Sequence, residues 1–396
     1  SQVVRLDVSA RRVVRLDVFS EFFKFVWSGW MLKRCFSVYM KRGVQMKANN
    51  PNIKRLEREP EKFDVLDLFD AIGRDRKYIL GNQNDENAFI DTVSKSLSLN
   101  KTPTIIYGRR VEIMFAYVVA SLGKATLIKK EDCGDIFCGN DIQIPDYRVL
   151  LGDGTQLLVE VKNYHQNLPF KSYSMKKNYL DGLSRYAELL KTDLRVAIYW
   201  SKWSIWTLVT PNDFKCDKTK ATINFTTALE RNQMVLIGDY AIGTTPPLSI
   251  RIYPDKKHSH GISNNTAEFT IGSVKLLCNN TPITNENEQR IAFALMLYGN
   301  WKEDNIIFPS PNSIDKIEYI EFSYYPIEYD KQQGFCIVDS LSTIISRQYG
   351  QLTAPEGKVV RLSPDIAPGM LGFIVPDDYK GNALPLWRLQ IKPKEI

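Results

Sequence analysis

The chain has 396 residues, of which 44% are hydrophobic and 24% charged, with six Cys and three His. That mix excludes a disordered, collagen-like or disulfide-stapled chain, and it is too poor in Cys and His for a zinc-finger array. The net charge of +7 is lodged entirely in residues 1–50, which hold ten Lys/Arg against three Asp/Glu. A localised basic block suits a polyanion, either nucleic acid or an anionic membrane surface.

No run approaches the ~18 apolar residues that a membrane span needs. The greasiest N-terminal stretch, Phe22 to Leu32, is interrupted by Lys24 and followed by Lys33 and Arg34, with no small-residue cleavage site. The expectation is therefore a cytoplasmic protein with no integral membrane segment.

Residues 1–100 form a basic, aromatic-rich region expected to be mainly helical. Phe19, Phe22, Phe23, Phe25, Trp27, Trp30, Phe36 and Tyr39 interleave with Lys24, Lys33, Arg34, Lys41 and Arg42. Such a mixture serves base stacking with phosphate contact, and equally an amphipathic helix with a solvated basic face. The hexapeptide Val-Val-Arg-Leu-Asp-Val occurs at 3–8 and again at 13–18, and its alternation suits two hairpin strands around Ser9–Arg12.

Residues 101–245 carry the clearest organisation. Apolar positions Val111, Phe115, Val118, Val119 and Leu122 place a helix over Gly108–Leu122, stopped by Gly123. A strand at Ala125–Ile128 precedes a polar loop with Cys133, Asp135, Cys138 and Asp141. Strands at Asp146–Leu151 and Gln156–Lys162 follow, joined by Gly152-Asp153-Gly154-Thr155. A helix at about Met175–Leu190 and strands at Leu194–Trp200 and Ser204–Val209 complete the unit. The fold class is an α/β core of order α-β-β-β-α-β, a mixed central sheet flanked by helices. Residues 246–396 read as a β-rich C-terminal domain of unknown role, with helices at Asn285–Tyr298 and Asp339–Arg347.

The chemistry-bearing candidate is Pro145-Asp146 followed by Glu160-Val161-Lys162. A three-residue hairpin loop with Gly154 left-handed pairs Leu151 with Thr155 and sets Asp146 opposite Glu160. Glu160 and Lys162 share a face by the strand period of two, so all three groups converge. A two-residue turn instead sends Asp146 to the other face. Leu157, Leu158, Val159 and Val161 mark the strand as buried, where charges are costly unless paired or metal-bound. Two carboxylates without His or Cys form an oxygen site for Mg²⁺, with Mn²⁺ able to substitute, rather than for zinc.

The element order with Pro-Asp and Glu-x-Lys resembles the PD-(D/E)xK nuclease superfamily, the restriction-endonuclease-like fold, over about residues 105–210. The resemblance implies that Asp146 and Glu160 bind the catalytic metal, with the Val161 carbonyl as a further ligand. It also implies that Lys162 assists the attacking water and that Glu112 completes the site from the preceding helix. The implied activity is a metal-dependent endonuclease acting on DNA, in a restriction, defence or mobile-element setting. A homodimer is expected, since a double-strand cut needs two sites. Lys171, Lys176 and Lys177 are phosphate contacts or a solvated helix end, and Arg34, Lys41 and Arg42 are further nucleic-acid contacts. The rival readings are a catalytically inactive nuclease fold that binds nucleic acid or serves assembly, and a peripheral membrane protein anchored by Phe19–Tyr39.

Overall fold

The computed structural model describes residues 3–7, 53, 65–99, 102–131, 138–139, 141–166, 168, 171–257, 261–263, 266–310, 313–327, 332, 334–373, 375–376 and 378–390. Arg34, Lys41 and Arg42, the aromatic series Phe19–Tyr39, the second hexapeptide copy, Cys133 and Asp135 lie outside the described residues. The first copy forms β1 (Val3–Asp7), paired antiparallel with β13 (Thr266–Cys278). Its partner among the described residues is thus a distant strand rather than its own repeat.

Two compact units divide the chain: residues 1–49, 239–345 and 372–391 in one, and 50–238, 346–371 and 392–396 in the other. The first contains a seven-stranded sheet whose path runs β1, β13, β11 (Leu248–Pro254), β16 (Ser313–Pro326) and β15 (Trp301–Ser310). A smaller sheet joins β17 (Cys336–Ser340), β10 (Ala241–Thr244) and β18 (Leu386–Leu389). The expected helix at Asn285 begins at Glu286, because the Asn285 side chain accepts hydrogen bonds from the backbone of Asn287 and Glu288 and so caps it.

The second unit opens with α1 (Val65–Arg76) and α2 (Gln83–Leu99), ahead of α3 (Pro103–Leu122). α3 starts at Pro103 rather than Gly108, since proline is tolerated in a first turn whose N–H groups have no partner anyway. Gly123, left-handed at φ 88°, ends it. Along the chain come β2 (Ala125–Lys130), β3 (Tyr147–Leu151), β4 (Gln156–Tyr164), β5 (Tyr173–Lys176), α4 (Lys177–Leu189), β6 (Asp193–Trp200) and β7 (Ile205–Val209). The five-stranded sheet has the order β2-β3-β4-β6-β7; β4 and β6 run parallel and the other pairs antiparallel.

The two faces of this sheet are covered differently. Phe115 of α3 packs on Tyr147 and Trp206, with ring centroids 6.1 and 5.5 Å away. On the opposite face Leu158 and Leu194 pack against Leu183 and Ala187 of α4. Val196, Ile198 and Trp200 meet the apolar side of a small sheet, β5-β9-β8, formed with β8 (Lys215–Cys216) and β9 (Lys220–Ile223). Met175 and Lys176 therefore close a strand instead of starting the helix, because Met175 is buried in that apolar cluster. Trp200 and Trp206 are core residues, and Trp203 stacks on Phe225 at 4.6 Å.

Residues 346–371, expected with the C-terminal part, belong to this second unit. Ser346 accepts from Trp206 Nε1 at 2.9 Å, Thr353 accepts from Arg110 Nε at 2.8 Å, and the Pro368 carbonyl accepts from Ser121 at 2.7 Å. No helix among the described residues is long and apolar enough to cross a membrane.

Candidate active site

The site is built on the β3–β4 hairpin. Leu151 N donates to Thr155 O at 2.9 Å, and Gly154 is left-handed at φ 89°, a backbone state that favours glycine. This is the three-residue loop, and it sets Tyr147 opposite Val159 and Arg148 opposite Leu158. Carried one residue further, the register puts Asp146 across from Glu160. Asp146 Oδ2 accepts from Val161 N at 2.7 Å, and its carbonyl accepts from Glu131 N at 3.0 Å. The residue that follows the β2–β3 loop is thereby tied to both neighbouring strands.

Glu160 and Lys162 project from the α4 face of β4, toward the helix and the small sheet. Glu160 is 1% exposed. Its Oε1 pairs with Lys162 Nζ and accepts from the Tyr179 hydroxyl at 2.7 Å. Lys162 Nζ also stands 5.0 Å from the Tyr179 ring centroid. Tyr179, on the first turn of α4, thus holds the carboxylate with its hydroxyl and the ammonium with its ring. Glu160 Oε2 is buried without a hydrogen-bond partner among the described residues, as is Asn163 Oδ1. A buried carboxylate oxygen left unmatched is costly unless a cation or water satisfies it.

Burial, and next the Glu160 carboxylate, push the Asp146 carboxyl up to about 7, while the bond from Val161 and the Lys162 charge oppose that rise. The same burial and the nearby Glu160 raise the phenols of Tyr179 and Tyr173. Negative charge is thus crowded on the buried strand β4, and the Lys162 ammonium opposes it. A divalent cation would relieve the crowding.

Glu112 stands apart from this trio. It lies on α3, across the opposite face of the sheet, and its Oε2 is 2.7 Å from Arg109 Nη1. Its charge still contributes to the rise at Asp146, so it borders the site without joining the cluster. Among the described residues no three His, Cys, Asp or Glu gather as a ready ligand group. The donors offered are the carboxylates of Asp146 and Glu160. This set fits Mg²⁺, which keeps several waters and is commonly held by one or two carboxylates plus substrate phosphates.

Beside the trio is a cavity of about 550 Å³, lined among others by Lys176, Tyr179, Arg185, Asp141 and Gln143. Gly182 lets α4 approach its wall closely, since a Cβ there would fall 2.8 Å from Gln143 Cγ. Arg185 Nε donates to the Asp141 carbonyl at 2.7 Å, so this loop is braced by main chain and the Asp141 side chain is not drawn into the trio. His165 bonds to Ser201 at 2.8 Å, and Tyr186 donates to Glu131 at 3.1 Å, both supporting roles. Lys177 pairs with Asp181 at 2.6 Å, whereas Lys171 and Lys176 are exposed.

No family model matches the chain, and no curated protein is similar to it. Among solved structures it is similar to a Holliday junction resolvase from the archaeal hyperthermophile Archaeoglobus fulgidus, at 12% identity, over 32% of this chain and 93% of that chain, with a TM-score of 0.25. So distant a likeness leaves the reading of this site to its own residues. The sequence pattern places Tyr179 on one face of its helix with Arg185 and Tyr186 but gives it no part in the trio. Its signal would have been an aromatic on the first turn of the helix that follows the Glu-x-Lys strand.

Proposed function

We propose that this chain is a Mg²⁺-dependent endonuclease that hydrolyses phosphodiester bonds, with DNA as its substrate. The reading is carried by one observation: Asp146, Glu160 and Lys162 converge on a buried strand, with Glu160 Oε2 unmatched. Such a concentration of charge has no structural benefit that an apolar strand end would not supply better.

Asp146 and Glu160 would hold the cation, with the Val161 carbonyl as the further donor that the family resemblance implies. A cation bound there lowers the pKa of water and offsets charge that builds on the phosphoryl group. Lys162, fixed by Glu160 and the Tyr179 ring, orients the attacking water and donates to a phosphate oxygen. Water oxygen bonds to phosphorus as the bond to the leaving sugar oxygen breaks, so no covalent enzyme adduct forms. Glu112 acts from the border of the site by tuning Asp146.

The test is cleavage of labelled duplex, single-stranded and branched DNA in Mg²⁺ and in Mn²⁺, comparing wild type with Asp146→Ala and Lys162→Ala. Metal-dependent cutting by wild type alone is expected. Cutting that survives both substitutions removes the site assignment, and no cutting of any substrate returns the chain to the class of inactive, binding-only folds.

A further inference from the structure

The small β5-β9-β8 sheet has one apolar side and one basic side. Met175, Ala221 and Ile223 are buried against Val196, Ile198 and Trp200. The alternate residues Ser174 and Lys176 of β5, Lys220 and Thr222 of β9, and Lys215 of β8 point the other way. Lys176 is the direct cross-strand partner of Lys220, and Lys215 pairs with Thr222, one diagonal step from Lys220. Directly opposed Cβ atoms in a sheet lie ~5 Å apart, and like charges in that relation are destabilising. Lys176, Lys215 and Lys220 are all exposed; the Asp217 carboxylate is near enough to Lys220 to feel its charge.

Lys218, also exposed, sits in the turn between β8 and β9. The one carboxylate in that turn, Asp217, is committed to it: its Oδ1 accepts from the backbone of Thr219 and Lys220, both at 2.7 Å. A sheet face on which ammonium groups outnumber carboxylates suits a polyanion.

Its position gives that face a purpose. β5 runs straight into α4, so Lys176 precedes by three residues the Tyr179 that holds Glu160 and Lys162. At the other end of the strand, Tyr173 is buried close enough to Glu160 to feel its charge. Lys176 also lines the cavity beside the trio. Lys176 thus joins the basic face to the helix whose first turn carries Tyr179, the partner of Glu160 and Lys162.

The geometry points to the exposed face of β5-β9-β8 as the surface on which the nucleic-acid backbone lies, with Lys176, Lys215 and Lys220 meeting phosphates next to the scissile one. This rests on the nuclease reading above and assigns to it a docking surface that lies within the second unit and is distinct from the basic N-terminal block.

The experiment measures binding without cleavage. Full-length protein in EDTA is titrated into a fluorescently labelled DNA duplex across a range of salt, for wild type and for the triple variant Lys176→Ala, Lys215→Ala, Lys220→Ala. A control variant replaces the equally exposed Lys95, Lys257 and Lys358, and a Lys→Arg triple keeps the charge. The alanine triple should bind about 10- to 100-fold more weakly at low salt and lose about 3 from the slope of log affinity against log salt. The arginine triple should bind like wild type, and the control should keep the full slope. Equal losses in the alanine triple and the control overturn the assignment, as does an unchanged slope in the alanine triple. Loss of binding to anionic phosphatidylserine vesicles with DNA affinity intact also overturns it, in favour of a membrane surface. Because cutting is not read, a platform that binds DNA in a protein that never cleaves would remove the catalytic reading and leave this one standing.

Discussion

Glu160 in the second unit is treated unlike the buried carboxylates of the first. In the first unit Glu288 is 4% exposed, yet Oε1 accepts from Asn382 N at 2.6 Å and Oε2 from Ala383 N at 3.3 Å. Asp239 is 7% exposed and accepts from the backbone of Tyr240 and from both the backbone and hydroxyl of Ser342. Glu321 pairs with Arg251 and takes a hydrogen bond from Ser323. Each of these acids has its oxygens matched by neighbours, as a structural role requires. Glu160, the most buried of them, has one oxygen matched twice and the other not at all. The contrast separates acids that tie loops together from an acid with an unmatched buried oxygen.

The largest expected effect sharpens that contrast through activity. Asp146→Ala or Lys162→Ala should lower the Mg²⁺-dependent cleavage rate by about 10²–10³-fold or more, in the range found when one electrostatic stabiliser is removed. Glu288→Ala should leave the turnover of the folded fraction unchanged, as single-turnover assays of matched active protein would report.

Stability should respond in the reverse sense. Glu288→Ala strands two backbone N–H groups and should cost about 2–4 kcal/mol in urea unfolding. Glu160→Gln in EDTA should cost less than about 1 kcal/mol, because Lys162 reaches solvent and Oε2 has no partner to lose. Equal losses in the two variants would erase the distinction between these acids.

The pH dependence gives a third handle. The Asp146 carboxyl is held up to about 7, and burial holds Asp239 up to about 6 against its hydrogen-bond donors. A carboxyl raised above its unfolded value near 3.8 supports the fold while protonated, and that support is lost as pH climbs through the folded value. Metal-free protein should therefore lose stability from about pH 4 toward 7, with a slope of at most about 1.4 kcal/mol per pH unit for each group. Asp146→Asn should flatten the stretch between 6 and 7, and excess Mg²⁺ should flatten it too. The part below 6 that belongs to Asp239 should ignore Mg²⁺. Thermal melts across pH, with EDTA or Mg²⁺, provide the check.

The smallest effect concerns Tyr179. Tyr179→Phe removes one donor to Glu160 Oε1 but keeps the ring beside Lys162, so the cleavage rate should fall only ~3- to 10-fold. Tyr179→Leu removes both contacts and should fall further.

Much of the central hairpin is legible in the sequence, because its information is local. Gly152-Asp153-Gly154 marks the turn but leaves its length open between two and three residues; once the three-residue loop is given, the register follows, and the apolar run around Glu160 marks the strand as buried. Glu112 is less legible: its helix is clear from periodicity, but which sheet face that helix covers depends on tertiary packing. β5, β8 and β9 are only two to four residues long, too short to carry a period, so the Lys176–Lys220 pairing is hidden and Met175–Lys176 reads as helix. Tyr179 is hidden for the same reason, since its place depends on where that helix begins.

The return of residues 346–371 bears on how this unit could be inherited. Arg110, Trp206 and Ser121 all find their polar partners in a segment more than a hundred residues downstream. A gene fragment ending before that segment would leave a buried indole N–H and a buried guanidinium unmatched, so the second unit cannot be exchanged between chains as one continuous cassette. Recombination would have to carry both pieces, together with whatever is encoded between them.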